Sequence, residues 1–112
     1  KNGEAALAEE LLAAGNTILG SQVHVRTASG ELRITDFIIR TPGGVIQGIE
    51  GKVNTSRLTS RQFRIDAEFA GTGGYIRSPG VRDIRQGTFL RFQTDVARIY
   101  STVKGFRLGK PF

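Results

Sequence analysis

The stretch ITDFIIRTPGGVIQGIEGKVN, residues 34–54, decides how the chain folds. It reads as a strand rich in Ile, a Pro-Gly-Gly turn and a second strand. Three charges, Asp36, Glu50 and Lys52, sit where a sheet would favour aliphatic side chains. Alternation puts Leu32, Ile34, Asp36 and Ile38 on one face of the first strand. Ile46, Gly48, Glu50 and Lys52 share a face of the second. Whether the two sets meet depends on the turn. A two-residue loop of Pro42 and Gly43 would set Asp36 against Ile49 and send Glu50 to the other side. A three-residue loop of Pro42, Gly43 and Gly44 sets Asp36 against Glu50, with Lys52 one step along. Type I turns followed by a left-handed residue favour Pro early and Gly last, so the three-residue loop is expected.

Working outward, the segment before the hairpin begins with a helix. Asn2 is its expected cap, Glu4 favours its positive end, and residues 5–14 are mostly strong helix formers. Leu7, Leu11 and Ala14 form its apolar stripe, and Gly15-Asn16 stops it. Strands are expected over 22–26 and 31–40, joined by a turn at Ala28-Ser29-Gly30, and over 45–53. A second helix follows, announced by the capping-box spacing Thr59-x-x-Gln62, with Phe63, Ala67 and Ala70 as its stripe and Asp66 and Phe69 at the flanks. Gly71, Gly73 and Gly74 end it. Residues 75–77 and 87–92 read as extended. The segment DVARIYS fits helical spacing as well as alternation, and its Val, Ile and Tyr favour a strand. The order implies one α/β (α+β) domain over 1–112, a mixed central sheet with an antiparallel three-strand core flanked by helices.

Composition narrows the function. No apolar run approaches the roughly 18–20 residues of a membrane span, so no membrane role is expected. The acidic, alanine-rich start lacks the pattern of a signal peptide. Lys at position 1 reads as a fragment from the C-terminal part of a longer protein. Without cysteine there is no disulfide or thiolate metal site. The formal net charge is +6. Residues 1–70 balance, whereas 71–112 hold Arg77, Arg82, Arg85, Arg91, Arg98, Lys104, Arg107 and Lys110 against Asp83 and Asp95 alone. Such a segment suits a polyanion, and Arg77, Arg82, Arg85 and Arg91 are the candidate nucleic-acid contacts. Tyr75, Phe89, Phe92 and Tyr100 interleave with these arginines, as base-stacking residues or as core.

The hairpin charges suggest chemistry. Two opposed carboxylates repel, and a divalent cation removes the repulsion. Hard oxygen ligands suit Mg²⁺ first, with Mn²⁺ or Zn²⁺ as alternatives; Mg²⁺ takes only one or two protein carboxylates and keeps several waters. Such an ion activates a water and stabilises charge on a phosphoryl oxygen, while Lys52 can orient or deprotonate that water. Gly48 and Gly51 keep the surroundings small. A solvated strand face carrying an Asp and a Glu–Lys pair is the plainer alternative.

Asp36, a hairpin and then Glu50-Gly51-Lys52 resembles the signature of PD-(D/E)XK, or restriction-endonuclease-like, nucleases. The resemblance covers roughly residues 4–74, and Thr35 stands where that family often has Pro. It implies Asp36 and Glu50 as metal ligands, the Gly51 carbonyl as a further one, and Lys52 as catalytic. By the same resemblance Gln62 contacts the active site, although a capping box explains it equally. A helical acid completes the metal site, with Glu10 chosen over Glu9. The segment is most similar to small nuclease domains at the C-termini of bacterial polymorphic, contact-dependent inhibition and type VI or Rhs toxins. That implies an antibacterial endonuclease acting on DNA or tRNA, delivered from a bacterium into the target-cell cytoplasm and held in check by a cognate immunity protein. A repair or resolvase-type nuclease and a non-enzymatic basic nucleic-acid-binding module are the other readings. His24, the only histidine, reads as a packed or edge residue, with a substrate contact as the alternative. Asp66 reads as a surface residue or an ion-pair partner of Arg64 or another nearby base. The run GTGGYIRSPG lacks the Gly-Lys-Ser/Thr ending of a phosphate-binding P-loop.

Overall fold

In the computed structural model, which describes residues 3–102 and 105–109, the hairpin lies at the centre of a mixed sheet. Helix α1 (Gly3–Ala13) leads into β1 (Thr17–Thr27), β2 (Leu32–Arg40) and β3 (Ile46–Val53). Helix α2 (Ser60–Gly71) follows, then β4 (Gly74–Ile76), β5 (Phe89–Leu90), β6 (Thr94–Thr102) and β7 (Gly105–Leu108). The strand order is β5-β4-β1-β2-β3-β6-β7. β3 and β6 run parallel, and the other described neighbours are antiparallel. The architecture is α+β, with a seven-strand mixed sheet and two helices.

Each helix covers one face. Leu7 and Leu11 of α1 pack with Phe37, Ile39, Ile49, Ala97 and Ile99. Phe69 of α2 packs with Leu19, Val23, Val25, Ile38, Ile76 and Phe92 on the other side. The Phe69 and Phe92 rings lie 4.4 Å apart between centroids. Covering both faces explains why Phe37, Ile38 and Ile39 are consecutive and all buried. Gly15, at φ +90°, ends α1, and the Asn16 N–H donates to the Leu11 carbonyl at 3.1 Å. The capping expected of Asn2 lies outside the described residues.

Several expected elements take different limits. β1 starts at Thr17 rather than Gln22, because a bulge between Ile18 and Gly20 spoils the alternation that would reveal it. The stripe of α2 is Ile65 and Phe69, not Phe63, Ala67 and Ala70; Phe63 is 66% exposed. The helix is turned so that Gln62, Ile65, Asp66 and Phe69, at i, i+3, i+4 and i+7, all meet the sheet. Two apolar and two polar positions share that face, so apolar spacing alone selects the wrong one. DVARIYS is strand, as expected, held between β3 and β7.

Candidate active site

The hairpin has a three-residue loop. The Thr41 N–H donates to the Val45 carbonyl at 2.8 Å, and the Gly44 N–H returns to the Thr41 carbonyl at 2.8 Å. Gly44 has φ +89°, the left-handed position such a loop requires. The register that follows pairs Arg40 with Ile46, Ile39 with Gln47, Ile38 with Gly48 and Phe37 with Ile49. Counting on, Asp36 stands opposite Glu50.

The β2–β3 ladder stops one step short of that pair. Beyond it β3 stays with β6, while β2 stays with β1. The strict alternation expected for Leu32, Ile34, Asp36 and Ile38 also fails. Cross-strand partners share a face. Thr35 and Arg33 pair with Val23 and Val25, which lie in the α2-side core, whereas Phe37 and Ile39 lie in the α1-side core. Odd positions therefore change sides at Asp36. Opposite it, Gln22 has φ +50°, a left-handed conformation that a non-glycine residue rarely takes within a strand. Ile34 is consequently 45% exposed while Ile38 is fully buried, so the two do not share an apolar surround for the charges.

This break turns Asp36 into the gap between β2 and β3. Its Oδ2 accepts the Gly51 N–H at 2.8 Å, and its Oδ1 lies 3.3 Å from the Gln22 Nε2 donor. In an extended strand the N–H and C=O of one residue emerge on the same edge, so the Gly51 carbonyl faces the gap as well. Gly51 must be small: an added Cβ would sit 3.1 Å from both Leu7 and Ile99 and 3.5 Å from Asp36 Oδ2. Gln22 also donates to the Glu4 carboxylate of α1.

Glu50 lies across the gap, on the α2 side, and is 5% exposed. Arg33 sits 3.3 Å from Glu50 Oε1 and grips Asp66 of α2 through two hydrogen bonds of 3.0 and 3.1 Å. The Arg33–Glu50 contact has ion-pair distance without hydrogen-bond alignment, and among the described residues that buried oxygen has no hydrogen-bond partner. Lys52 Nζ lies 3.7 Å from Glu50 Oε2 and donates to Gln62 Oε1 at 3.1 Å. Gln62 Oε1 also accepts the Thr59 N–H at 3.0 Å, so one side chain both caps the helix and meets Lys52. Burial raises the Glu50 carboxyl above its ordinary range, and the Asp36 charge adds to this; Arg33 and Lys52 only partly offset it. Burial opposes the Arg33 charge, but Asp66, Glu50 and Asp36 more than compensate and hold its pKa up.

A cleft of about 680 Å³ opens beside this group, lined by Asp36, Glu50, Arg33 and Gln62 together with Ile34 and Arg61. The structure thus brings Asp36, Glu50, Gly51, Lys52 and Gln62 into one region. Glu10 does not join them. It is exposed on α1, and at 100° per residue it lies about 120° around the helix from Glu4, the helical acid that reaches toward Asp36. Arg77, Arg82, Arg85 and Arg91 are exposed on or beside the segment joining β4 and β5, and none lines the cleft. Asp66 is the partner of Arg33 rather than of Arg64, which reaches Glu31 instead, and is not a surface residue. Arg33, Gln22, Glu4 and Arg61 escaped the sequence reading. Arg33 shares the alternation of apolar neighbours only after the face change, which nothing in the sequence announces. Asp66, four residues after Gln62, carried the one usable signal.

The donor set fits a hard divalent cation. Two carboxylates flank a gap, and one buried carboxylate oxygen lacks a hydrogen bond among the described residues. Oxygen donors favour Mg²⁺ or Mn²⁺ over Zn²⁺. Among the described residues no group of three or more His, Cys, Asp or Glu side chains is placed to hold a metal ion; Mg²⁺, which keeps its waters, takes only one or two protein carboxylates. No protein-family model matches the chain, and comparison with curated proteins and with solved structures finds no significant match. No described helix is long and apolar enough to cross a membrane.

Proposed function

We propose that the chain is a metal-dependent endonuclease of restriction-endonuclease-like fold, hydrolysing phosphodiester bonds of DNA or RNA. The observation that carries this is the convergence of Asp36, the Gly51 backbone, Glu50 and Lys52 on one inter-strand gap, produced by a three-residue hairpin loop. A divalent ion held by Asp36, Glu50 and the Gly51 carbonyl would supply an activated water and a Lewis acid for the phosphoryl oxygen. The chain's own groups do the rest. The Gly51 N–H and Gln22 fix the Asp36 carboxylate. Arg33, locked on Asp66, holds Glu50 toward the gap. Gln62 fixes the Lys52 ammonium beside Glu50, where it can orient the attacking water and neutralise charge building on the phosphate.

By the same reading the domain is an antibacterial toxin. It would be delivered from a bacterium into the cytoplasm of a target cell, with a cognate immunity protein as its natural partner.

The test is cleavage of plasmid DNA and total tRNA by wild type, Asp36→Ala and Lys52→Ala, with Mg²⁺ and with EDTA. Metal-dependent cleavage is expected from wild type, reduced at least a hundredfold in either variant. Retained cleavage in both variants, or in EDTA, would sink the proposal. Binding without cleavage by wild type would leave a basic nucleic-acid-binding module. Growth arrest relieved by a neighbouring gene product would separate a toxin from a repair enzyme.

A further inference from the structure

The register places a row of exposed rings and cations on the part of the sheet that α1 leaves bare. Val25 pairs with Ile76, and both lie in the α2-side core. Their neighbours Arg26 and Tyr75, which pair with each other, therefore face the opposite way. Tyr75 pairs in turn with Phe89, and Arg26 pairs with Leu32. Leu32, Arg26, Tyr75 and Phe89 thus form one row across β2, β1, β4 and β5. The next row is Ile34 and His24, and the one after it is Asp36 and Gln22. Helix α1 buries Leu7 and Leu11 over Phe37, Ile49 and Ile99, toward the other end of the sheet. Leu32, Ile34, Tyr75 and Phe89 are all exposed to solvent. Tyr75 and Phe89 meet edge to face, with ring centroids 5.0 Å apart.

We propose that this face is a stacking platform for the unpaired bases of single-stranded nucleic acid, leading to the Asp36–Glu50 gap. It rests on the nuclease reading for its direction, and on its own residues for binding. Every base has a π-face, so aromatic rings on a sheet bind single strands without sequence preference when cations hold the backbone. The cations are here. Arg26 stands within the row, with its Nε buried and lacking a hydrogen-bond partner among the described residues. Arg77 is tied beside His24, its N–H donating to the His24 carbonyl at 2.8 Å. Arg77 directly follows Ile76 of the α2-side core, so alternation sets it on the same side as Tyr75. Arg26 and Gln22 are four residues apart on β1, roughly 13 Å along the strand. About four stacked nucleotides, at roughly 3.4 Å each, would cover that path. A duplex hides its bases from such a surface, so the platform selects for single strands. Of the other two aromatics interleaved with the arginines, Phe92 is in the core, and Tyr100 lies under Arg107 at 4.8 Å.

The chain has no tryptophan and two tyrosines, so Tyr100→Phe leaves Tyr75 as the sole tyrosine emitter. In EDTA, to exclude cleavage, that variant is titrated with single strands of DNA and of RNA about twelve nucleotides long. The matching duplex and an abasic strand of equal length are titrated alongside. The expected result is quenching of Tyr75 by the single strands, with the DNA and RNA arms ranking the two chemistries. Anisotropy with a labelled strand should show binding about tenfold weaker for Tyr75→Ala or Phe89→Ala, and near wild type for Tyr75→Phe. Circular dichroism confirms that these surface variants stay folded. Equal binding of the abasic strand or the duplex, or alanine variants that bind like wild type, would overturn the proposal. So would failure of every strand to quench Tyr75, which would leave the row to a protein partner. A wild type that binds and quenches but never cuts with Mg²⁺ would refute the nuclease reading and leave the platform standing.

Discussion

The two halves of β2 differ in everything except their strand geometry. Residues 37–40 pair with β1 on one side and β3 on the other, and helices cover both faces. Nothing polar is needed there until Arg40, and Phe37, Ile38 and Ile39 fill the interior. Residues 32–36 have lost β3. Their buried positions are Arg33 and Thr35, and their apolar Leu32 and Ile34 face solvent. One strand therefore passes from structural wall to candidate site within a single residue, Asp36. A divergence of strands, rather than a loop, frees backbone groups from the ladder and sets two carboxylates at the same gap.

The largest stability effect that would break this contrast is expected at Arg33. Arg33→Ala leaves Glu50 and Asp66 facing each other across a buried space without their shared cation. A loss of about 3–5 kcal/mol in urea unfolding is expected, as for other broken buried pairs. A loss below about 1 kcal/mol would mean that the group is solvated and that the halves differ less than their burial indicates.

The register itself can be strained next. Gly44 has φ +89° and open space where a Cβ would sit, so Gly44→Ala meets no clash and only a backbone penalty. We expect a cost of about 1–2 kcal/mol by thermal or urea unfolding. No change would show that the loop tolerates another conformation, and with it another pairing of Asp36.

The smallest effect sharpens the comparison through pH. Glu50 has a folded pKa above its ordinary value of 4.5. Between that value and the folded pKa, the folded chain holds more protons than the unfolded one. The stability linked to Glu50 is therefore present below about 4.5 and is lost as pH rises through the folded pKa. Unfolding curves of wild type and Glu50→Gln across pH 4 to 8 should diverge in that sense, with the variant relatively more stable at neutral pH. Saturating Mg²⁺ should shrink the difference by favouring the carboxylate. Parallel curves would mean that burial costs the Glu50 carboxylate little.

Much of this was legible in order and little of it in placement. Pro42-Gly43-Gly44 determined the loop length, and through it the register that sets Asp36 against Glu50. Thr59 and Gln62 determined where α2 begins, and Val, Ile and Tyr determined that residues 94–102 form a strand. These are local matters: backbone conformation, caps and propensity act within a few residues. The break at Asp36 was not legible, because it needs Gln22, fourteen residues away, in a left-handed conformation and β3 drawn off by β6. Nor was the rotation of α2, where Ile65 and Phe69 compete with Phe63 and Ala67, and only the partners Arg33 and Lys52 decide. The sequence by itself determined which residues carry charge and which strands turn back on one another. Tertiary structure decided which charges meet, because the parallel β3–β6 pairing pulls two neighbouring strands apart and opens the gap between them.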